Sequence, residues 1–502
     1  RGDADGAGAR VRVEGSMRLG GMLYGGDVVL VLAGMGAGCS HIDEAVDDLP
    51  EMEIPATYEA AEAGADEPEA LREWLATLGS PELLLLVDEA LEKNPDFRNV
   101  INRMEAARAE ARIAGADLWP SLNASANASR RRVNSLAAGL QVDGVTVNSF
   151  DPGFGASWEL DLWGRLRDSR AAAAGELEAA GYDVEAARLS LAAQVAKAWF
   201  SLLETRQQLE LARNRLEVFE SNERLIETQF ERGLSSALDY RLIRSQTRSA
   251  RAVVTQQEAA LEGQIRQFEV VLGRYPGREL EIAGVLPALS GAVPAGLPSA
   301  LLERRPDLRA AEARFQSAVR RLKASVKLRL PQITLTGTAG TSSTELDNVL
   351  DTDFRVWSLA GGLVQPIFQG GSIEGGIARS EAFLDQASET YRKAALTAFE
   401  EVETALANSR LIEEQRGHLE AVVEETTAAE ELAWDRYQRG LVDVITVLES
   451  QRRAFDAESN LLSLKNLELQ NRIDLYLALG GTFETEGDPR AMAGVHSPEE
   501  LN

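Results

Sequence analysis

Asn94-Pro95-Asp96-Phe97-Arg98 returns as Arg305-Pro306-Asp307-Leu308-Arg309, 211 residues further along the chain. Trp119-Pro120 returns as Leu330-Pro331 at the same offset of 211. Phe230-Glu231-Arg232-Gly233-Leu234 returns as Tyr437-Gln438-Arg439-Gly440-Leu441, now 207 residues on, and Leu272-Gly273 returns as Leu479-Gly480, also at 207. One coincidence would mean little. Matched landmarks in one order, at nearly one spacing, mean a duplicated unit of about 200 residues. The step from 211 to 207 falls between Pro120 and Phe230 and reads as a small length difference in a loop.

Both units follow one plan. A helix rich in Ala, Arg, Glu and Leu comes first, over about 82–119 and 299–330, with Pro only near its start. Pro120 and Pro331 then open extended segments. Ser121-Leu122-Asn123-Ala124-Ser125-Ala126-Asn127-Ala128-Ser129 alternates polar and apolar without a break, which is the period of a strand, and 332–339 does the same. A Gly/Asn/Asp-bearing loop leads to a second strand. In the first unit it sets Trp158, Leu160 and Leu162 on one face and Ser157, Glu159 and Asp161 on the other. In the second unit it covers about 354–364 and its alternation is blurred.

Long helical runs follow over about 168–232 and 372–438, each nearly 100 Å long at ~1.5 Å per residue. Leu209, Ala212, Leu216, Phe219, Ile226 and Phe230 keep the 3-4 spacing of a coiled-coil seam, broken at Glu223. Turns at Gly233 and Gly440 reverse the chain into return helices over about 237–272 and 444–478. Between the units, 274–298 carries Pro276, Pro287, Pro294 and Pro298 among many Gly and reads as a linker or equatorial segment.

Composition narrows the function. Across 502 residues, 79 acidic against 52 basic side chains leave a net charge of −27, which argues against binding a nucleic-acid backbone. The lone Cys39 excludes a disulfide framework and a cysteine-rich metal site. The three His, at 41, 418 and 496, are isolated, which removes most metal and triad chemistry, so no metal site and no cofactor is expected. No phosphate-binding GxxxxGK loop, HExxH or GxSxG occurs. Gly34, Gly36 and Gly38 have no strand–helix unit around them and do not read as a dinucleotide turn. No run of about 18 apolar residues is present for a transmembrane helix.

The amino terminus has the layout of a secretory signal peptide. Met17 is the expected start, Arg18 supplies the charge, and Val28 to Ala37 form a short apolar region with Asp27 at its entrance. Ala37-Gly38-Cys39 then looks like a bacterial lipoprotein processing site, with Gly36 where Leu is usual. The alternative is a free thiol in a leader. The expected division is a leader over 1–38, an acidic tether over 39–72, a first repeat over 73–273, a linker over 274–298, a second repeat over 299–480 and a disordered tail over 481–502.

Two strands per unit give four per chain. Four strands cannot close a barrel, which needs about eight, and an open edge in lipid leaves backbone groups unpaired at several kcal/mol each. If these strands span a membrane, the chain must oligomerise. The spacing alone equally allows a soluble four-stranded sheet capping a helical bundle.

The residues resemble the TolC-like outer membrane factor family in its lipoprotein branch. The likeness runs through Trp74, Ala90-Leu91 to Pro95-Asp96, the Pro-led strands, Trp158 to Gly164 and Phe368-Gln369-Gly370-Gly371. Its most specific parts are Arg436-Tyr437-Gln438-Arg439-Gly440 and Leu448-Glu449-Ser450-Gln451-Arg452. The resemblance implies a mainly α chain that assembles as a homotrimer. Twelve strands, four from each chain, would form one transmembrane β-barrel, and antiparallel helical hairpins a periplasmic α-barrel. It implies no enzyme but a passive exit duct for an inner-membrane pump, in efflux or type I secretion, joined through a periplasmic adaptor and seated in outer-membrane lipid. It also implies a covalent lipid on Cys39, and sorting to the outer membrane with Ser40 next.

The same resemblance puts the closing constriction at Ile445, Glu449 and Arg452, which share one helix face at i, i+4 and i+7. Glu449 stands where Asp is commoner. Arg232, Gly233, Leu234, Arg439, Gly440 and Leu441 would meet the adaptor. The equivalents of the gate residues in the first unit are Leu238, Leu242 and Ser245, all uncharged. The plain alternative for Glu449 and Arg452 is a solvated i,i+3 surface pair. On strand 121–129, Asn123, Ser125 and Asn127 are expected toward the lumen and Leu122 and Ala124 toward lipid. The rival functions are a non-conducting periplasmic coiled-coil scaffold and an enzyme with a helical core.

Overall fold

Proline sets the first boundaries. The computed structural model describes residues 49, 58–59, 74–133, 145–289 and 298–481; Cys39, the leader, nearly all of the tether and the tail beyond 481 lie outside the described residues. The opening helix of each repeat, expected as one rod, is two. They are α2 (Pro81–Lys93) and α3 (Pro95–Ala116) in the first repeat, preceded by a single turn α1 (Trp74–Thr77), and α6 (Pro298–Arg304) and α7 (Pro306–Lys327) in the second. The residue before a proline is driven out of the helical region. Asn94 (φ −62°, ψ 124°) and Arg305 (φ −70°, ψ 122°) are extended for that reason.

After β1 (Ser121–Val133) and β2 (Val145–Leu160) come α4 (Arg165–Glu231) and α5 (Ala237–Val271). After β3 (Gln332–Thr341) and β4 (Arg355–Val364) come α8 (Ser372–Gln438) and α9 (Val444–Ala478). The long helices are 67 residues in both repeats, and the return helices 35. The change of offset lies in the strands as well as the loops. β1 and β2 hold 13 and 16 residues against 10 and 10 in β3 and β4, so α4 and α8 start 207 apart although β1 and β3 start 211 apart.

Each repeat closes on itself at one place. Asn94 Nδ2 donates to the carbonyl of Val271 at 2.8 Å, and Arg305 Nη1 to that of Ala478 at 3.1 Å. Val271 and Ala478 are the last residues of α5 and α9, so two unlike side chains fill one role. Gly273 follows with φ +78°, and a Cβ there would stand 2.6 Å from the carbonyl oxygen of Lys93. Only glycine meets both conditions.

The main core lies where α1, α2, α4, α8 and the ends of α5 and α9 meet. Trp74, Trp199, Phe200 and Phe268 are fully buried there, with Val402 and Ile473. Each large side chain is worth about 1.5–3 kcal/mol of burial. Tyr476 of α9 stacks on Trp74 at 5.7 Å and meets Thr77 Oγ1 through its hydroxyl at 3.1 Å. Burial pushes the hydroxyl of Tyr58, beside α8, up to about 12. The inter-repeat segment is held at its start. Glu269, at α5's end, is buried and accepts backbone N–H groups from Arg278, Glu279 and Leu280.

A smaller core near the two turns joins Phe219 and Ile226 of α4, Ile243 and Ala250 of α5 and Val444 of α9. Along the seam Asn222 takes the buried position and Glu223 is half out. Phe230 is 39% exposed and stacks on Tyr240. Among the described residues no helix is long and apolar enough to cross a membrane.

Candidate functional site

The four strands form one antiparallel sheet in the order β1-β2-β3-β4, leaving β1 and β4 as edges. Directly opposed residues share a face, so the register fixes what each face presents. Leu122 faces Ala156, Ala124 faces Phe154 and Ala128 faces Phe150. Phe154 faces Ala339 and Trp158 faces Leu335. Ala339 faces Trp357 and Ile333 faces Leu363. One face is therefore apolar across all four strands. The other carries Asn123, Ser125 and Asn127 of β1, Ser157 of β2, Thr334, Thr336 and Thr338 of β3, and Ser358 of β4.

This face is not covered by the protein's own helices: Leu122 is 72% exposed, Phe154 59%, Trp357 79% and Leu359 76%. Along β2 its apolar run from Phe150 to Leu160 spans about 33 Å at ~3.3 Å per residue, or ~25 Å once tilted as in membrane barrels. At the helix end Trp158 Nε1 donates to the Leu118 carbonyl at 3.0 Å, and Trp163 Nε1 to that of Pro331 at 2.7 Å. Anchored indoles at one rim suit a membrane interface. β2 ends at Leu160, so Leu162 does not extend the apolar face as its spacing suggested. Asp161 turns instead to cap α4, accepting the N–H groups of Leu166 and Arg167 at 3.1 and 3.0 Å.

At the opposite end, the turn after α4 and the turn after α8 share a backbone. Gly233 and Gly440 both have φ +71°. Leu234 N–H returns to the Gln229 carbonyl at 2.8 Å, and Leu441 N–H to the Arg436 carbonyl at 2.9 Å. These bonds close each helix with a left-handed glycine. Ser236 and Asp239 form a capping box on α5, and Asp443 caps Thr446 on α9. Leu234 and Leu441 project into solvent at 76% and 69% exposure, and Arg439 pairs with Asp435 at 2.7 Å.

Past the second turn, Val444, Val447, Gln451 and Ala454 are buried, so Ile445, Glu449 and Arg452 lie on the outward face of α9. Arg452 pairs with Glu449 at 2.9 Å within one chain. Two residues that the sequence reading missed complete the group. Arg453 reaches Glu449 at 2.8 Å, and Asp456 takes the other side of Arg452 at 2.8 Å. Their i+4 and i+7 spacing from Glu449 was the available signal. Hydrogen bonds from Arg452 and then Arg453 hold the Glu449 carboxyl down at about 2. Ile445 is 55% exposed.

A third missed feature lies deeper. Arg215 of α4, almost fully buried, pairs with Glu430 of α8 at 2.6 Å and donates to the Gln451 carbonyl of α9 at 2.8 Å. It ties the first repeat's long helix to both helices of the second repeat. Its place beside Leu216 in the seam gave no hint of a partner.

A sequence profile described as outer membrane efflux protein matches residues 86–278 and 297–481. The toluene efflux pump outer membrane protein TtgF of Pseudomonas putida is 32% identical over 431 residues, 85% of this chain and 90% of that protein. The pyoverdine export outer membrane protein OpmQ of Pseudomonas aeruginosa is 32% identical over 444 residues, 87% of this chain and 92% of that protein. The solved outer-membrane channel OprN superimposes with a TM-score of 0.79 at 27% identity, over 87% of this chain and 99% of that chain.

Proposed function

Since the chain belongs to the outer membrane efflux protein family, we propose that it is the outer-membrane exit channel of an efflux pump, a passive conduit for substrates delivered from the inner membrane. The observation that carries this is the sheet with one apolar face, one polar face and two open edges. Lipid can cover the apolar face, but the edges of β1 and β4 can be satisfied only by strands of further copies. Three chains give twelve strands, a number that encloses an aqueous lumen. The polar face, with Asn123, Ser125 and Asn127, then lines the water path.

The helical hairpins continue that path into the periplasm, and their turns at Gly233 and Gly440 meet the adaptor of an inner-membrane pump. Ile445, Glu449 and Arg452 narrow the tip. Three copies of each charge meet near one axis, and each carboxylate needs a cation partner, which Arg452 and Arg453 supply within the chain. These pairs are wet, so opening exchanges them for water at small net cost, and a docked adaptor biases the population. Cys39 carries the lipid that adds an anchor to the outer membrane.

Planar-bilayer recording of the purified full chain tests the reading. Stepwise conductance from a protein of trimeric mass is expected, and an assembled protein that never conducts would make it a scaffold. In cysteine scanning, aqueous reagent should reach positions 123, 125 and 127 and spare 122 and 124. Intact mass should show an acylated chain beginning at Cys39. Co-purification from cells should recover an adaptor and a pump.

A further inference from the structure

The apolar face of the sheet does not stay apolar to its end. On β1 it reads Leu122, Ala124, Ala126, Ala128 and then Arg130 and Arg132, because every second residue lies on one side. Arg130 stands opposite Asn148 and Arg132 opposite Thr146, beyond the last apolar pair of Ala128 with Phe150. Both arginines are exposed, and among the described residues neither makes a hydrogen bond or an ion pair. The nearest acid in the strand pairing, Asp151, lies on the other face and is held by Ser149 and Ser342 at 2.6 Å each. In a chain of net charge −27, this is a local cationic patch that its own sheet does not neutralise.

The patch belongs to the first hairpin alone. At the offset of 211 its counterparts are Thr341, where β3 ends, and Ser343. Arg355 of β4, on the same face, gives its Nε to the Thr352 carbonyl at 3.0 Å.

We propose that Arg130 and Arg132 form a binding site for the phosphate groups of outer-leaflet lipid, one per chain, at the outer rim of the barrel. This rests on the channel reading above, which turns the apolar face to lipid and the hairpin end outward. Both helical connections leave the sheet at its other end, so the hairpin end is the one remote from the periplasmic helices. Residues two and four places past the apolar band reach the depth of headgroups. Guanidinium groups bind phosphate oxygens through paired, charge-assisted hydrogen bonds. Arg131 points to the opposite face and takes no part.

The test uses the full-length assembled protein in mild detergent, titrated with bisphosphorylated lipid A and followed by native mass spectrometry. R130Q/R132Q should weaken binding about thirty-fold, R130K/R132K, which keeps the charge but loses the paired donors, should weaken it about five-fold, and R131Q should leave it unchanged. Dephosphorylated lipid A should bind the parent protein no better than it binds R130Q/R132Q. If the double variant does not assemble, R130Q and R132Q singly should each lose about five-fold. Equal binding by parent and glutamine variants, or by lipid with and without phosphate, overturns the proposal. So does competition by millimolar inorganic phosphate as strong as that of the lipid, which would mean a free-anion site. Conductance measured on the same samples separates the two readings: a conducting parent that does not select phosphorylated lipid loses only this site, and a non-conducting one loses the channel.

Discussion

The tips of the two helical hairpins have one backbone and two chemistries. Both join a 67-residue helix to a 35-residue helix through a glycine at φ +71°. Past the first turn stand Leu238, Leu242 and Ser245; past the second stand Ile445, Glu449 and Arg452, extended by Arg453 and Asp456. The same holds higher up, where Arg215 of α4 is buried and its counterpart in α8, Val422, is 45% exposed. Duplication has kept what the backbone needs, namely the left-handed glycine and the cap. It has let the side chains that meet other helices diverge, because the two hairpins face different neighbours.

The largest test of that asymmetry is at Arg215. Arg215→Ala strands Glu430 in a mostly buried site and should cost about 3–5 kcal/mol of stability. Val422→Ala, at the matching and exposed position, should cost ~0.5 kcal/mol or less. Urea unfolding of the assembled protein reads both, and equal losses would mean that the brace carries no energy.

The next effect is on conduction. Glu449→Ala with Arg452→Ala should raise single-channel conductance several-fold while the melting of the assembled protein stays near the parent's. A double variant that conducts like the parent at both low and high salt would place the gate elsewhere. Leu242→Glu with Ser245→Arg copies the pair onto the first turn, and should lower conductance about two-fold if position alone makes a gate.

The smallest effect concerns pH. A carboxyl held at about 2 stays ionised until strong acid, so the contribution of Glu449 is present above the ordinary carboxylate range and lost only as pH falls through about 2. Conductance should therefore be flat from pH 8 to 5 as far as this group is concerned. Glu458 goes the other way: burial raises its carboxyl, against the pull of Arg215 and with Glu430 adding to the rise. Ionising it costs stability, so the fold should gain stability as pH falls through that raised value. Glu458→Gln should flatten the pH dependence of unfolding in mild acid. An unchanged slope would mean that Glu458 is solvated.

Much of the fold was legible in the residues because its signals are local. Alternation at 121–129 marks a strand whose pairing partners need not be known, and Gly233 and Gly440 end helices through their own φ. The 3-4 spacing from Leu209 marks a seam before its partner helix is known. The repeat offsets carried the same assignments to the second half, where alternation in β4 was weaker.

What the local pattern could not carry was decided by contact across distance. Whether Asp161 ends a strand face or caps a helix depends on where α4 begins. Pro95 breaks the helix through its own ring, but what the side chain of Asn94 meets at that break was settled by the end of α5, 177 residues away. Arg215 finds Glu430 across 215 residues of sequence, and no periodicity encodes that meeting. The sequence by itself determined the elements, their order and their duplication, because helix, strand and turn are set by neighbours a few residues apart. Tertiary structure alone decided which faces pair, which charges are buried and where the arginines of β1 fall, because those depend on register between segments far apart in the chain.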